Sequence, residues 1–352
     1  MSLNIRIQQL VSQFPAHKID AFLVTHDVNI RYLTDFPASE SWLLVSPRRS
    51  FYLTDFRYIL EAQKGLKEIT VKRCATSLYS TLFETAKSLK IKRIGFDDRH
   101  LSFSAYKKLK KECPKGIKLF STNNLVEDLR EIKTFYEINQ IRKALEVHAE
   151  AYQLIRKEVK PGISEREILN ILENFIKSKN VGFSFPPIIA SGPNSCFPHA
   201  RVSDRIIRNN ELVLIDTGID LNGYKSDLTR MVFLGKIPRF VREANDFVRR
   251  AQELAIQHIR PGRRASEVDH QARKYLHKNR LGKFFGHSLG HGVGLEIHEN
   301  PRISKKSSTI LHPGMIFTVE PAVYIPNEFG IRIEDMVLVT QQGCEVLSGN
   351  ID

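Results

Sequence analysis

Residues 212–230 read LVLIDTGIDLNGYKSDLTR. The stretch begins with an apolar run that ends at Asp216, passes through Asn222-Gly223 and reaches Asp227 on the far side of that pair. An Asn-Gly pair between two strand-like segments is a strong signal for a two-residue hairpin turn. The sequence therefore predicts two antiparallel strands, each of which carries an aspartate.

The predicted turn also fixes which residues of the hairpin face each other. If Asn222-Gly223 forms the turn, Asp216 pairs with Thr229. Asp227 is two residues from Thr229, so it lies on the same sheet face as Asp216, roughly 7–8 Å away along the diagonal. Two carboxylates at that separation can bind shared cations. A longer loop or a bulge would change the register, and two ordinary surface aspartates are the alternative, which the buried-strand pattern before Asp216 disfavours.

A second pair of carboxylates follows the same pattern. Glu320 ends the apolar run of residues 315–319, and Glu334 with Asp335 precedes a second apolar run at residues 336–339. An ionised carboxylate next to a core strand is costly unless a cation pairs with it. No Lys or Arg is adjacent in sequence to Asp216 or Glu320. The sequence therefore predicts a cation site that these four carboxylates share.

A weak internal repeat relates the two carboxylate pairs. In each half a helix, a Pro-Gly pair, a Ser-Glu pair and a new helix precede the strands. The matching pairs are Pro161-Gly162 with Ser164-Glu165, and Pro261-Gly262 with Ser266-Glu267. Ser164 and Glu167 also form a capping-box pattern. Two similar halves that face each other would bring the four carboxylates to one central cleft.

The first third of the chain shows a different pattern, in which short strands alternate with helices. The predicted strands are 21–25, 41–45, 50–54 and 93–97, and one predicted helix is 80–89. This alternation is typical of an α/β domain. We place the boundary near Asn123-Asn124, which gives domains of 1–124 and 125–352. A charged helical run is expected from Leu125 to Val159.

One polar segment of this first domain is a candidate functional site. Residues 97–100, with the sequence DDRH, follow a predicted strand. A strand-end turn is the favoured interpretation, and a functional site is the alternative.

Composition limits the class of protein. The 352 residues are 42% hydrophobic and 26% charged, as in an ordinary globular protein, with no apolar stretch of membrane-spanning length. The N-terminal residues lack the pattern of a signal peptide. Four cysteines without a CxxC pair favour a reducing cytoplasm. The net charge of +14 is spread along the chain, so we expect a solvated basic surface and no dedicated nucleic-acid binding.

Residues 285–301, FGHSLGHGVGLEIHENP, concentrate histidines among glycines. His287, His291 and His298 lie within twelve residues, and the flanking glycines allow close backbone approach. A single histidine here would favour a structural role. Three together favour a functional site.

Residues 130–345 resemble the catalytic domain of the pita-bread metallopeptidases, which include aminopeptidase P, prolidase and, more distantly, methionine aminopeptidase. Five segments in the family's order carry the resemblance: 214–218 (LIDTG), 224–230 (YKSDLTR), 290–294 (GHGVG), 318–321 (TVEP) and 330–335 (GIRIED). The N-terminal α/β domain is similar to the extra domain of aminopeptidase P and prolidase. The expected fold is thus a creatinase/prolidase-type α/β domain followed by an α+β pita-bread domain with pseudo-twofold repeated halves.

The resemblance implies a ligand set for two divalent metal ions: Asp216, Asp227, His291, Glu320 and Glu334. Four carboxylate charges would balance two such ions. Oxygen ligands with one imidazole suit Mn²⁺ best, with Co²⁺, Zn²⁺ or Fe²⁺ as alternatives. A hydroxide that bridges the metals is the expected nucleophile.

The resemblance also implies roles for other residues near the metals. It makes His199 a histidine that assists at the scissile bond, and it makes His287 and His298 residues that shape the pocket and steady the transition state. Arg332 shares a strand face with Glu334, and we expect it to hold a ligand carboxylate; a surface salt bridge is the alternative. Glu299 is a candidate to orient an imidazole.

The leading prediction is an Xaa-Pro aminopeptidase that releases the first residue of peptides with proline second. The alternative is a prolidase that cleaves Xaa-Pro dipeptides. A non-catalytic binding protein and a metal-independent, creatinase-like hydrolase are less favoured, because both predict missing ligands and every ligand position is filled. The resemblance also implies a homodimer or a larger homo-oligomer.

Overall fold

The computed structural model describes residues 3–351. The chain forms two compact units, Met1–Arg130 and Glu131–Asp352. The domain limits 1–124 and 125–352 stay a prediction. The prediction that no signal peptide is present rests partly on Met1 and Ser2, which lie outside the described residues. No helix within residues 3–351 is long and apolar enough to cross a membrane.

The first unit is built from helices and one mixed sheet. Its elements in chain order are α1 (Leu3–Ser12), α2 (Phe14–His17), β1 (Ala21–Val24), α3 (Asp27–Thr34), β2 (Trp42–Val45), β3 (Phe51–Thr54), α4 (Ile59–Gly65), β4 (Thr70–Arg73), α5 (Leu78–Ser88), β5 (Arg93–Asp97), α6 (Phe103–Glu112), β6 (Lys118–Thr122) and α7 (Glu127–Glu131).

The sheet has the strand order β4-β3-β2-β1-β5-β6. Strands β1, β2 and β3 are buried at every position, as expected of central strands that are covered on both faces. The four predicted strands and the predicted helix are confirmed within two residues at each end. The edge strands β4 and β6 were missed, because they carry exposed charged residues and lack a continuous apolar run.

The second unit contains four long helices and several small sheets among its described residues. Its elements are α8 (Phe135–Glu158), α9 (Glu165–Lys179), β7 (Gly182–Phe183), β8 (Ile188–Ser191), β9 (Leu212–Thr217), β10 (Ile219–Leu221), β11 (Tyr224–Lys225), β12 (Leu228–Phe233), α10 (Arg239–His258), α11 (Ala265–Lys278), β13 (Gly290–Gly292), β14 (Glu299–Ile303), β15 (Ile316–Val319), β16 (Ala322–Ile325), β17 (Phe329–Arg332), β18 (Asp335–Val339) and β19 (Cys344–Val346).

The expected helical run from Leu125 to Val159 is present as two helices with a break between them. The chain leaves the helical path between α7 and α8, where Ile132 forms a β-bridge with Met315. Helix α8 then starts afresh with a capping box between Thr134 and Glu137. The charged sequence reads as helical on both sides of the break, so periodicity alone could not reveal it.

The predicted hairpin register is confirmed. Leu221 pairs with Tyr224, and Asp216 pairs with Thr229. Asn222 and Gly223 both have positive φ, 53° and 82°, as a two-residue turn that matches the strand twist requires. Gly218 interrupts the ladder between β9 and β10, but the count of residues across the hairpin is unchanged.

The predicted repeat of two halves is confirmed by matching hydrogen bonds. Gly162 N donates to Ile207 O and Gly262 N donates to Leu311 O, each at 2.9 Å. The sheets correspond as well: β12-β9-β8 in the first half matches β18-β15-β13 in the second. Strands β9 and β15 occupy equivalent central places, which gives Asp216 and Glu320 equivalent positions in the two halves.

One detail of the repeat was misaligned. The capping box of Ser164 and Glu167 begins α9 as predicted. In the second half, however, Arg264 is the residue that precedes helix α11, and Ser266 lies inside its first turn. Ser266-Glu267 is therefore not the structural counterpart of Ser164-Glu165. The two bridges Ser164–Ile206 and Arg264–Ile310 give the correct correspondence.

Candidate metal centre

The second unit brings the five predicted ligands to the ends or interiors of neighbouring strands. Asp216 lies within β9 and His291 within β13. Glu320 follows β15 directly, whereas Asp227 and Glu334 immediately precede β12 and β18. The two halves meet here, because Glu334 N donates to Thr229 O at 3.2 Å.

The side chains converge as well as the strands. Asp227, His291 and Glu334 each offer a ligand atom, and these three atoms lie within 4.8 Å of one another. Nε2 of His291 lies 3.6 Å from Oδ2 of Asp227 and 3.4 Å from Oε1 of Glu320. Four of the five predicted ligands therefore surround one small volume.

Asp216 completes the group and has a cationic partner. The Arg332 guanidinium donates to its Oδ2, while its Oδ1 is buried without a hydrogen-bond partner. Arg332 is 116 residues away along the chain, so residues adjacent to Asp216 in sequence could not show this counter-charge. Arg332 is itself 4% exposed, so this pair is not a surface salt bridge. The carboxylate that it contacts is that of Asp216.

Two threonines that sequence reasoning missed hold the carboxylates. Thr229 Oγ1 donates to Glu334 Oε2 at 2.6 Å and accepts from Arg332 Nε at 3.0 Å. Thr318 Oγ1 donates to Glu320 Oε1 at 3.2 Å. Two sequence signals could have identified these threonines. Thr229 is the cross-strand partner of Asp216 in the predicted register, and Thr318 lies two residues before Glu320, on the same strand face.

The His291 ring is oriented with its Nε2 lone pair toward the carboxylates. Its Nδ1 lies 3.1 Å from the carbonyl oxygen of Gly292, and a carbonyl can only accept, so Nδ1 carries the hydrogen. Burial lowers the pKa of His291 to about 4, so the ring is neutral at physiological pH. Added Cβ atoms at Gly290 and Gly292 would overlap neighbouring backbone, which explains the glycines on both sides of this histidine.

The buried carboxyls repel one another when no metal is bound. Burial, and then the charges of Glu334, Asp216 and Glu320, raise the pKa of Asp227 well above its usual range. Burial, followed by the charges of Glu320 and Asp216, does the same for Glu334. Burial also raises the pKa of Glu320 to about 8. The group cannot be fully ionised at neutral pH without added positive charge.

His287 and Tyr324 lie on the Glu320 side of the group. His287 Nδ1 is 2.7 Å from the carbonyl oxygen of Ser288, so Nδ1 is protonated, and Nε2 faces the Tyr324 hydroxyl at 3.5 Å. Burial lowers the pKa of His287 to about 4 and raises that of Tyr324 to about 12. Tyr324 also accepts a hydrogen bond from Arg332. No sequence pattern pointed to Tyr324.

The other two predicted histidines, His298 and His199, also lie near the group. The ring of His298 packs edge-on against that of His291, with centroids 4.3 Å apart, and burial lowers the pKa of His298. His199 is exposed, and its preceding residue, Pro198, accepts a hydrogen bond from Arg332 at 3.1 Å. Glu299 pairs with the buried Lys133 at 2.6 Å.

A buried histidine on α8 supports the hairpin from behind. His148 Nε2 lies 2.8 Å from Thr217 Oγ1, and its Nδ1 lies 3.0 Å from Ser226 Oγ. These two residues are the chain neighbours of Asp216 and Asp227. One imidazole therefore links both strands beside their carboxylates, a role that only the folded chain reveals.

The donor set suits divalent cations. Carboxylate oxygens with one neutral imidazole are hard and borderline ligands, and four carboxylate charges match two divalent ions. The mutual repulsion of these carboxyls, the unpartnered Oδ1 of Asp216 and the aimed Nε2 of His291 are all features that bound cations would satisfy.

Comparison with known families identifies both units of the chain. Residues 139–341 match the model of metallopeptidase family M24, and residues 6–132 match that of the creatinase/prolidase N-terminal domain. The chain belongs to family M24. Its second unit is therefore an M24 pita-bread domain, and its first is a creatinase-type N-terminal domain, as the resemblance implied.

Individual M24 proteins match along nearly the whole chain. An Xaa-Pro dipeptidase of Pyrococcus horikoshii is 33% identical over 351 residues, which cover 98% of this chain and 97% of the relative. The structure of an Xaa-Pro dipeptidase from Bacillus anthracis is 35% identical, with a TM-score of 0.96 and coverage of 99% and 98%. An X-Pro aminopeptidase from Thermotoga maritima is 32% identical, with a TM-score of 0.89 and 97% coverage of both chains.

Proposed function

We propose that the protein is a metal-dependent Xaa-Pro dipeptidase. The observation that carries the proposal is the likeness of the whole chain to the Xaa-Pro dipeptidase of Bacillus anthracis, at a TM-score of 0.96 and 35% identity. The X-Pro aminopeptidase from Thermotoga maritima matches less closely, at 0.89 and 32%. The dipeptidase alternative thus has more support than the aminopeptidase favoured from sequence.

We propose that two divalent ions, with Mn²⁺ favoured by the donor set, are held by the predicted ligands Asp216, Asp227, His291, Glu320 and Glu334. The converging ligand atoms and the mutually raised carboxyl pKa values support this assignment. When bound, such ions supply Lewis acidity that acidifies water and polarises a carbonyl group. Arg332 and Thr229 fix the orientation of Asp216 and Glu334.

The remaining polar groups act on the substrate in this proposal. His287 and His298 are neutral at physiological pH, so each can donate or accept a hydrogen bond without adding positive charge. Tyr324 stays protonated and can donate to a developing negative charge. His199 is exposed, and the residue before it, Pro198, accepts a hydrogen bond from Arg332. In this proposal His199 contacts an incoming peptide near the scissile bond.

The expected substrate is a dipeptide whose second residue is proline. The bond that joins the two residues is a tertiary amide without an N–H, and proline fixes φ. A site built for this bond needs no acceptor for an amide hydrogen. The dipeptide also carries a free carboxylate directly after proline, which a tripeptide replaces by a neutral amide.

Hydrolysis of Ala-Pro and Ala-Pro-Ala, measured side by side with added Mn²⁺, separates the two activities. We expect the dipeptide to have a kcat/KM at least about 10-fold higher, a difference of ~1.4 kcal/mol in transition-state binding. Equal or faster cleavage of the tripeptide would make the protein an aminopeptidase. Ala-Ala serves as the control for the requirement for proline.

We also retain two proposals about the cellular form of the protein. A cytoplasmic location is supported by the four cysteines, all of which lack disulfide partners. A homodimer or larger homo-oligomer stays a prediction, which light scattering on the purified protein checks.

A further inference from the structure

The first unit contains a second group of metal-ligand side chains, far in sequence from those of the M24 site. His26 precedes helix α3, His100 lies in the turn after β5, and Glu127 begins α7. One ligand atom from each lies within 4.8 Å of the other two. Three separate segments of the chain therefore place an imidazole or a carboxylate at one point.

The two imidazoles are packed closely together. The rings of His26 and His100 are stacked, with centroids 3.7 Å apart and planes only 4° from parallel. Nε2 of His100 lies 2.9 Å from Oε1 of Glu127 and 3.7 Å from Oδ2 of Asp97. Both histidines are half-buried, whereas Asp97 and Glu127 are 4% and 6% exposed.

The buried carboxylate is held in place and keeps one oxygen available. Asn29 Nδ2 donates to Glu127 Oε1 at 2.7 Å, and Arg130 in turn donates to the Asn29 amide oxygen at 2.8 Å. The other oxygen, Glu127 Oε2, is buried without a hydrogen-bond partner. A ligand carboxylate oriented by an outer hydrogen-bond partner is a common feature of protein metal sites.

We propose that His26, His100 and Glu127 form a binding site for a zinc-like divalent cation, with Asp97 as a fourth oxygen donor. Two imidazoles and carboxylate oxygens are a donor set that Zn²⁺ accepts in tetrahedral sites. Ligand atoms on such an ion are about 3.4 Å apart. The cluster would therefore contract modestly, and one ring would tilt out of the parallel stack so that both nitrogens point at the ion.

Binding replaces a proton by the ion. In the metal-free cluster the 2.9 Å contact between His100 Nε2 and Glu127 Oε1 is a hydrogen bond. When the ion binds at Nε2, the N–H bond of that atom breaks and the proton passes through solvent to Nδ1, so the imidazole stays neutral and a coordinate bond replaces the hydrogen bond. The bound ion would join α3, the turn after β5 and α7, so the site would stabilise the first unit.

The strand-end turn predicted for residues 97–100 is present, and the proposal adds a function to it. The site is independent of the peptidase activity. None of its ligands belongs to the second unit, and failure of the dipeptidase proposal would leave it untouched.

Zinc-edge anomalous diffraction from full-length crystals grown with Zn²⁺ locates the ion directly. We expect a peak within coordination distance of His26, His100 and Glu127, separate from any peak at the M24 site. Absence of density there at saturating Zn²⁺ would overturn the proposal. This measurement uses the unmodified chain and does not depend on how well any variant folds.

Equilibrium dialysis of the variants gives a second test. We expect His26→Gln, His100→Gln and Glu127→Gln each to bind one Zn²⁺ fewer per chain than the wild type. Asn29→Leu should weaken the same site about 10- to 100-fold, as loss of an orienting partner does. The control is His17→Gln, which changes an exposed histidine of the same unit and should leave the count unchanged. Equal zinc content in the wild type and all five variants would contradict the proposal.

Discussion

Among the carboxylates of the M24 centre, Glu334 is the one whose substitution separates stability from activity. Glu334 is 2% exposed, accepts a hydrogen bond from Thr229, and has its pKa raised by burial and by the charges of Glu320 and Asp216. A neutral amide of the same shape would relieve this repulsion and at the same time remove a proposed metal ligand. Stability and activity should therefore respond in opposite directions to one substitution.

We expect Glu334→Gln to lower kcat/KM at least ~100-fold, beyond the 10- to 100-fold typical of a residue that only orients a ligand. The metal-free variant should be as stable as the metal-free wild type or more stable, because one buried charge is gone. Steady-state kinetics and urea unfolding measure the two effects. Glu328→Gln, at an exposed position, is the control. Wild-type activity in Glu334→Gln would exclude Glu334 as a ligand.

The raised carboxyl pKa values predict how pH affects the metal-free protein. Glu320 titrates at about 8 when folded, against an ordinary 4.5, so the folded state holds a proton that the unfolded state has released. Raising pH therefore favours unfolding. The lowered pKa values of His287 and His291, about 4, act in the opposite direction, but only below about pH 6.5.

Between pH 6.5 and 8 the free energy of unfolding should thus fall in chelator, by up to about 1.4 kcal/mol per pH unit for each proton. With Mn²⁺ bound the slope should flatten, since the ions neutralise the ionised carboxylates. Urea denaturation across this range, with and without Mn²⁺, tests both statements. A metal-free protein that becomes more stable as pH rises would contradict the description of the buried carboxyls.

At the scale of elements, the hairpin of β9 to β12 and the helix α8 behind it set the spacing of the two aspartates. His148 is 0% exposed and bridges Thr217 and Ser226. Burial lowers its pKa to about 3, so the ring is a neutral structural link. Loss of this link should loosen both strands of the hairpin beside their ligands.

His148→Ala should lower the free energy of unfolding by about 2–3 kcal/mol, because two buried hydroxyls lose a partner and a cavity forms. Activity should fall about 10- to 100-fold, as for loss of an outer partner of a metal ligand. His148→Gln, which can hydrogen-bond to at least one hydroxyl, should recover part of both losses. Substitution of the exposed His277 is the control. No recovery in the glutamine variant would contradict the role assigned to these hydrogen bonds.

Elements differed in how far the sequence could predict them. The hairpin register was predictable because Asn222-Gly223 fixes the turn, and every later pairing follows by counting. The edge strands β4 and β6 and the break before α8 were not, since their residues take part in contacts distant in sequence. Contacts distant in sequence are also the reason why the pairing of Arg332 with Asp216 in particular, and the support of the hairpin by His148, could not be predicted.

At the scale of the whole molecule, the motifs of the second unit supply the side chains of the proposed metal centre. They follow one another along the chain in the order of the two repeated halves. Asp216 and Glu320 occupy matching strands of two repeated halves, so the repeat itself concentrates negative charge in one cleft. The length of peptide that the cleft accepts is a different matter. It depends on how the site is closed beyond the residue that binds proline. Dipeptidases and aminopeptidases of the family share these motifs, so the motifs do not separate the two activities.

The most direct test of the central claim is hydrolysis of Ala-Pro by chelator-stripped protein, before and after divalent ions are added back. We expect no measurable hydrolysis by the stripped protein and recovery with Mn²⁺ or Co²⁺, with no recovery when His291→Ala replaces the wild type. Full activity after stripping, or recovery in the His291→Ala variant equal to that of the wild type, would contradict a catalytic metal pair at these five residues.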